Sequence, residues 1–342
     1  MRAAVTRSPG GPITVDEVPD PVPGDGEVLV RVRAASLNRL DRAVYDGVAM
    51  GGIATFPLIQ GVDAAGVIEQ GDETWPAGMR VAVKPTIPCG RCRWCLRKRE
   101  ADCDDATTFG IHRPGGWADY VTVPRSNLVA LPDRVSFAQG AAAAHSHAVV
   151  LRMIRASGVD LAGAVVLVTG ASGALGTAAI QLARSMGATV LASTTGAAKR
   201  SALESLGASR ALLAGPDLGA RVREETGGIG ADVVLETTGR LDVVDAAGGA
   251  LARGGRFVVV GAVPGTRLEV DLQALYRNRH AFVGSASSDL VDFSDTYRLL
   301  DRHGIHPAIA DTYSLEEIDR ALARVSDRER IGKIVIEIGG ST

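Results

Sequence analysis

The four cysteines of this 342-residue chain all fall within one short stretch, Cys89-Gly-Arg-Cys92-Arg-Trp-Cys95-x7-Cys103. Thiolates bind zinc tetrahedrally, and two-residue spacers followed by a longer return let four of them converge on one ion. With every position filled by protein, such an ion is structural and has no open site for chemistry. A dispersed disulfide framework is excluded because no cysteine lies elsewhere. Bridges between these neighbours would need an oxidising compartment, and no signal peptide or long apolar run directs the chain to one. The expectation is one zinc per chain in a cytoplasmic protein.

A second chemical signature is Gly170-Ala171-Ser172-Gly173-Ala174-Leu175-Gly176, which follows the apolar run Ala164 to Val168 and opens a helical pattern. Glycines there permit a tight turn, close approach of backbone to a pyrophosphate and close helix–strand packing. The helix start offers unpaired N–H groups to the anion. Gly170, Ser172, Gly173, Ala174, Leu175 and Gly176 are therefore assigned to a dinucleotide, together with Gly261 just past the strand Arg256 to Val260. An NAD site usually carries an acid at the end of the next strand. Here that stretch reads Ala192-Ser193-Thr194-Thr195-Gly196, followed by Lys199-Arg200. Hydroxyls on Thr194 and Thr195 with cations at Lys199 and Arg200 suit a 2′-phosphate, so NADPH is the expected cofactor. The alternative for the two cations is the start of a solvated helix.

The elements that must position these groups fall into two rhythms. Up to about residue 133 the chain shows short β-type runs, such as Glu27 to Val32 and Ala64 to Ile68, broken by Pro and Gly. A long helix is expected over Ser136 to Ala156, with a serine cap. From Ala164 apolar strands alternate with helices, the pattern of a doubly wound parallel sheet. The tail gives a helix after residue 285, a strand near Ala308 to Tyr313, a helix from Leu315 to Arg324 and a strand Lys333 to Ile338. The expected fold is α/β, with residues 134–285 forming the dinucleotide domain and residues 1–133 and 286–342 the other, carrying the zinc lobe at 89–103.

Hydrophobic residues make up 46% and charged residues 22%, with net charge -2, which gives no overall attraction to nucleic acid or anionic membrane. The basic run Arg91 to Arg99 reads as the solvated face of the zinc loop.

Together these features resemble the medium-chain dehydrogenase/reductase superfamily, which contains zinc alcohol dehydrogenases and zinc-free quinone and enoyl reductases. The segment Gly115-Gly116-Trp117-Ala118-Asp119-Tyr120, the 170–176 turn, Leu206-Gly207-Ala208, Gly254-Gly255-Arg256 and Gly332-Lys333-Ile334-Val335 carry the resemblance in order and spacing. It implies a GroES-like, mostly-β catalytic domain around a Rossmann domain, a small-molecule substrate and a homodimer, with Ala281 to Gly284 a plausible edge strand.

The departures are informative. Alcohol dehydrogenases of this superfamily carry a zinc-ligating Cys where this chain has Asn38, and Gly-His-Glu where it has Gly61-Val62-Asp63; a later Cys corresponds to His145. Valine coordinates nothing, and an asparagine carbonyl is a poor ligand beside thiolate or imidazole. The resemblance thus implies a retained structural zinc and a lost catalytic one. An atypical site from Asp63 and His145, with His147 or Asp41, is the alternative.

Without a Lewis acid, alcohol–ketone exchange loses its main charge stabilisation. Conjugate reduction needs less, since negative charge spreads into an enolate that a few donors can hold. The expected activity is NADPH-dependent hydride transfer to an α,β-unsaturated carbonyl, iminium or quinone. Candidate catalytic residues are Asn38 and Asp63, which hold substrate or nicotinamide or else support the cleft, His145, and Tyr45 as a proton donor. The rival readings are a zinc-type alcohol or carbonyl dehydrogenase with an unusual metal site and a non-catalytic NADPH-binding protein. Loops at 45–60 and 262–295 are expected to set substrate size.

Overall fold

In the computed structural model, residues 1–48, 53–261 and 267–339 are described, so parts of the two expected substrate-size loops, 49–52 and 262–266, lie outside them. The chain divides into two compact units. One comprises Met1–Ala148, Ser288–Arg328 and Lys333–Thr342, the other Val149–Ser287 and Glu329–Gly332.

The first unit is built on the strand Glu27–Leu37, whose buried residues include Val28, Val30, Val32, Ala34 and Ser36. It pairs antiparallel along Asp63–Gln70 on one edge. On the other edge it pairs first with Tyr120–Pro124, then with Lys333–Glu337. Ile309–Ser314 extends the sheet in parallel beyond Lys333–Glu337, and Arg80–Val83 and Leu128–Ala130 extend it on the far side. One face carries branched side chains, Val30, Val32, Ile68, Val81, Ile334 and Ile336, around Trp117. The opposite face is lined by Ala34, Ala65, Ala82 and Val335, on which Ala141, Ala142, Ala143 and Ala144 pack. Small residues on both partners allow that helix to approach the sheet closely.

Residues 134–148, expected in the dinucleotide domain, therefore belong to the first unit, because their alanine face is buried on its sheet. The single long helix expected over 136–156 is two. Ser136 caps the first, Phe137–Ala144, its hydroxyl accepting from Gln139 N–H while the Gln139 side chain accepts from Ser136 N–H. The second is Ser146–Ser157. At the join Ser146 Oγ donates back to Ala142 O at 2.7 Å, a local bond that competes with the helix ladder and bends it. His145 stands at this break.

The second unit holds a six-stranded parallel sheet ordered Arg210–Leu213, Thr189–Thr194, Val165–Val168, Ala231–Glu236, Leu251–Val259, Ala281–Gly284. Leu167, Leu191, Val234 and Phe257 form its interior, as buried parallel strands require. The order reverses between Val165–Val168 and Ala231–Glu236, the place where such sheets bind ligands. Among the described residues no helix is long and apolar enough to cross a membrane.

Candidate functional site

The cysteine lobe is shaped by two short turns, Cys95–Arg97 and Glu100–Asp102. Its four sulfurs lie within 4.8 Å of one another, with Cys89–Cys95, Cys92–Cys95 and Cys92–Cys103 separations of 3.9, 3.6 and 3.9 Å. Four thiolates at zinc–sulfur bond length around one tetrahedral ion stand about 3.8 Å apart, so this set fits zinc. Backbone N–H groups of Cys89 and Cys92 point at the sulfurs of Cys103 and Cys89. Backbone N–H groups of Cys95 and Asp104 pull the Cys92 thiol down to about 6, whereas burial pushes Cys95 up to about 12. A cation is what lets all four ionise together. Among the described residues no other group of three His, Cys, Asp or Glu converges in this way.

The second constellation follows from strand register in the first unit. Ser36 pairs with Asp63 on one side and Val335 on the other, so Asn38, just past the strand, and Lys333, two residues before Val335, meet Asp63. Asp63 Oδ2 accepts from Ser36 Oγ at 2.7 Å, Asn38 Nδ2 at 2.9 Å and Lys333 Nζ at 2.8 Å. Lys333 Nζ also donates to Asn38 Oδ1 at 2.6 Å. The ion pair is shut away from water, with side-chain exposures of 2% and 0%. Asp63 Oδ1 has no partner among the described residues.

Asn38 is also the N-cap of the helix Arg39–Tyr45. Asp41, in its first turn, accepts from Asn38 N–H at 2.7 Å and Val62 N–H at 3.1 Å. Burial, and then the nearby Asp63 charge, raise the Asp41 carboxyl to about 6. His145 is half-buried and its pKa is lowered by burial, which outweighs the opposing pull of Asp63. His147 is buried and turned to Ser146, 3.1 Å from its hydroxyl.

Asn38 and Asp63 are thus brought together, with His145 near enough to feel the Asp63 charge, and Tyr45 is not. Its hydroxyl donates to Gly10 O at 3.0 Å and its ring lies 5.4 Å from the Arg42 guanidinium. Tyr45 faces a separate cavity of about 310 Å³ lined by Pro12, Arg42, Asp319, Leu322 and Ala323. Lys333 is the residue that sequence reasoning missed. A lysine opening an apolar strand reads as a solvated end, and only the pairing partner 270 positions away reveals its burial.

In the second unit, the turn after Val165–Val168 leads into the helix Ala174–Ser185, whose N-cap Gly173 offers no side-chain bond to the first N–H groups. The N–H groups of Ala174, Leu175 and Gly176 are those a pyrophosphate would use. Gly170 has φ of +60°, and a Cβ on Gly176 would stand 2.3 Å from Gly170 O, so neither position accepts a larger residue. Glu236, buried at the end of the adjacent strand, fixes the facing loop by accepting from Thr238 N–H at 2.8 Å and Gly239 N–H at 2.9 Å. Sequence reading gave these residues no role.

At the end of Thr189–Thr194, Thr194 is buried and accepts from Gly196 N–H, while Thr195 is exposed. Arg200 is directed to the sheet, its Nε donating to Ala211 O at 2.7 Å. Lys199 is buried. Gly261, at φ of +84°, follows the strand Leu251–Val259.

Comparison with known proteins agrees with this architecture. Residues 24–133 match the alcohol dehydrogenase GroES-like domain and residues 174–302 the zinc-binding dehydrogenase domain. An acryloyl-coenzyme A reductase of Sulfurisphaera tokodaii is 30% identical over 98% of this chain and 100% of its own. An NAD-dependent alcohol dehydrogenase of the same organism is 28% identical over 98% of this chain and 99% of its own. The solved structure of AibC superposes with a TM-score of 0.92 at 30% identity, covering 99% of this chain and 96% of its own. The chain belongs to the medium-chain dehydrogenase/reductase superfamily. It is an oxidoreductase of that family, built from a GroES-like unit and a Rossmann-like unit.

Proposed function

We propose that this protein is an NADPH-dependent reductase of activated double bonds, an α,β-unsaturated carbonyl or thioester, an iminium or a quinone, working without a catalytic zinc. The observation that carries the reading is the Lys333 ammonium, bound to Asn38 Oδ1 at 2.6 Å. Asn38 occupies the position where the zinc alcohol dehydrogenases have a ligand. An ion ligated by that oxygen would have to displace the ammonium, which also holds Asp63 Oδ2 at 2.8 Å. The full-length similarity to proteins named acryloyl-coenzyme A reductase supports the same substrate chemistry. The similarity to alcohol dehydrogenases does not discriminate, and the residues of the site favour the reductase reading.

NADPH, when bound, supplies the hydride, which adds to the β-carbon as the π electrons move onto the carbonyl oxygen; a proton then completes the α-carbon. Asn38 and Asp63 hold their polar groups toward Lys333, Ser36 and each other, so they act as positioning residues. The Lys333 ammonium, paired with Asp63, fixes both residues in place. His145, whose pKa burial lowers, carries an imidazole that can donate to the enolate oxygen or relay the proton. Lys199 and Thr195, beside the end of Thr189–Thr194, are the groups we assign to the 2′-phosphate. Homodimer formation would use the strand Ala281–Gly284, which lies at the sheet edge with Phe282 exposed.

Purified protein should oxidise NADPH with an acryloyl thioester, an enone or a quinone, and do so at least roughly tenfold faster than with a matched saturated aldehyde. Faster turnover of the aldehyde, or of an alcohol in the reverse direction, would overturn the reading.

A further inference from the structure

The end of Thr189–Thr194 carries no acid in its own sequence, but the fold delivers one from elsewhere. Residues Glu329–Gly332 cluster with the Rossmann-like unit and apart from the rest of the C-terminal tail. Gly332 N–H donates to the carbonyl of Ser172 in the phosphate turn at 3.0 Å, which ties the segment to the dinucleotide site at one end. At the other end Glu329 Oε1 stands 3.7 Å from Lys199 Nζ. The lysine is fixed and buried, with 5% of its side chain exposed, whereas Glu329 is 73% exposed. A Cβ on Gly196 would meet Lys199 Cε at 2.6 Å and Nζ at 3.5 Å. The lysine therefore lies directly over the turn where a doubly wound domain holds the adenosine ribose.

We infer that Glu329 is a specificity-determining residue for the ribose 2′ substituent, supplying from the C-terminal segment the carboxylate that NAD sites carry at the strand end. It balances the Lys199 charge and can accept from a ribose 2′-OH, as that acid does in NAD sites. A 2′-phosphate, at roughly −1.5 to −2 charges, competes with the carboxylate for the same ammonium, and the exposed side chain must turn away to solvent. Glu329 thus opposes the preference that Lys199 creates. The inference rests on the dinucleotide reading of this unit and refines its NADPH part.

The test is equilibrium binding of NADPH and of NADH, followed by nucleotide fluorescence, to the wild-type protein, Glu329→Gln and Lys199→Met. Glu329→Gln should tighten NADPH by about fivefold, the scale of one partly exposed charge pair, and leave NADH unchanged or weaker. Lys199→Met should weaken NADPH by about tenfold with little change for NADH. An unchanged ratio of the two affinities in Glu329→Gln would overturn the inference. A wild-type preference for NADH, with the ratio still shifting toward NADPH in Glu329→Gln, would overturn the NADPH reading and uphold the role of Glu329. Binding of neither nucleotide would overturn both.

Discussion

Lys333 and Asp63 illustrate how one side chain can fix the chemistry of a site. Their ion pair is closed to water, so removing one partner strands the other charge in a low dielectric. Lys333→Met should lower stability by about 3–5 kcal/mol, and adding Asp63→Asn should recover much of that loss; urea unfolding of the two variants checks both. A loss below about 1 kcal/mol in the single variant would place the ammonium in solvent. Asp41 makes the pH prediction. Its carboxyl is raised from 3.8 to about 6 by burial first and by Asp63 second. A raised folded pKa means that stability is present in full below the unfolded value and is lost as pH rises through the folded one. Wild type should therefore lose about 2 kcal/mol relative to Asp41→Asn between pH 4 and pH 7, measured by urea unfolding of both proteins across that window. At the reacting centre, His145→Ala should reduce kcat roughly hundredfold while leaving NADPH binding intact. Single-turnover rates and nucleotide titration would show it.

Element by element, most of the framework was legible because periodicity and punctuation are local. The strands Ile309–Ser314 and Lys333–Glu337 fall within one residue of the runs expected from sequence, Ala308 to Tyr313 and Lys333 to Ile338. The helix break at His145 was not legible, since helix propensity is uninterrupted there and only the Ser146 back-bond to Ala142 marks it. Asn38 and Asp63 were visible as departures from a family pattern. Their mutual contact and the presence of Lys333 depend on register across three strands, which no local pattern encodes. The helix Leu290–His303 shows another such long-range device. Its cap Asp289 accepts from Ala101 N–H at 2.8 Å, and its first residue Leu290 donates to Glu100 at 3.1 Å. Lys84 lies buried near these acids; burial draws it down to about 8, against the opposing pull of Glu100, Asp289 and Asp292. The zinc lobe is thereby clipped to the start of a helix whose Tyr297 hydroxyl donates to Gly140 O, in the alanine helix covering the site. Stripping zinc should therefore speed amide exchange at Leu290 to Phe293 as well as within the lobe. Faster exchange confined to 89–103 would show that the clip carries no load.

For the whole molecule, the sequence placed a boundary before the alanine helix, and the structure places it after Ala148. The alanines pack on the GroES-like sheet rather than on the Rossmann-like one, a choice that composition alone could not reveal. The same limit applies to Glu329, whose place beside Lys199 depends on how the C-terminal segment runs past the phosphate turn. The molecule thus combines a lobe fit for structural zinc with a buried ammonium held by Asn38 and Asp63. Zinc per chain, determined by elemental analysis after dialysis against a mild chelator and paired with the rate of NADPH oxidation by an activated alkene, tests that combination most directly. The account predicts about one zinc per chain, the content of a closed four-thiolate site, with full alkene reduction. About two zincs per chain, with activity falling as the second is removed, would contradict it and make the protein a zinc-dependent dehydrogenase.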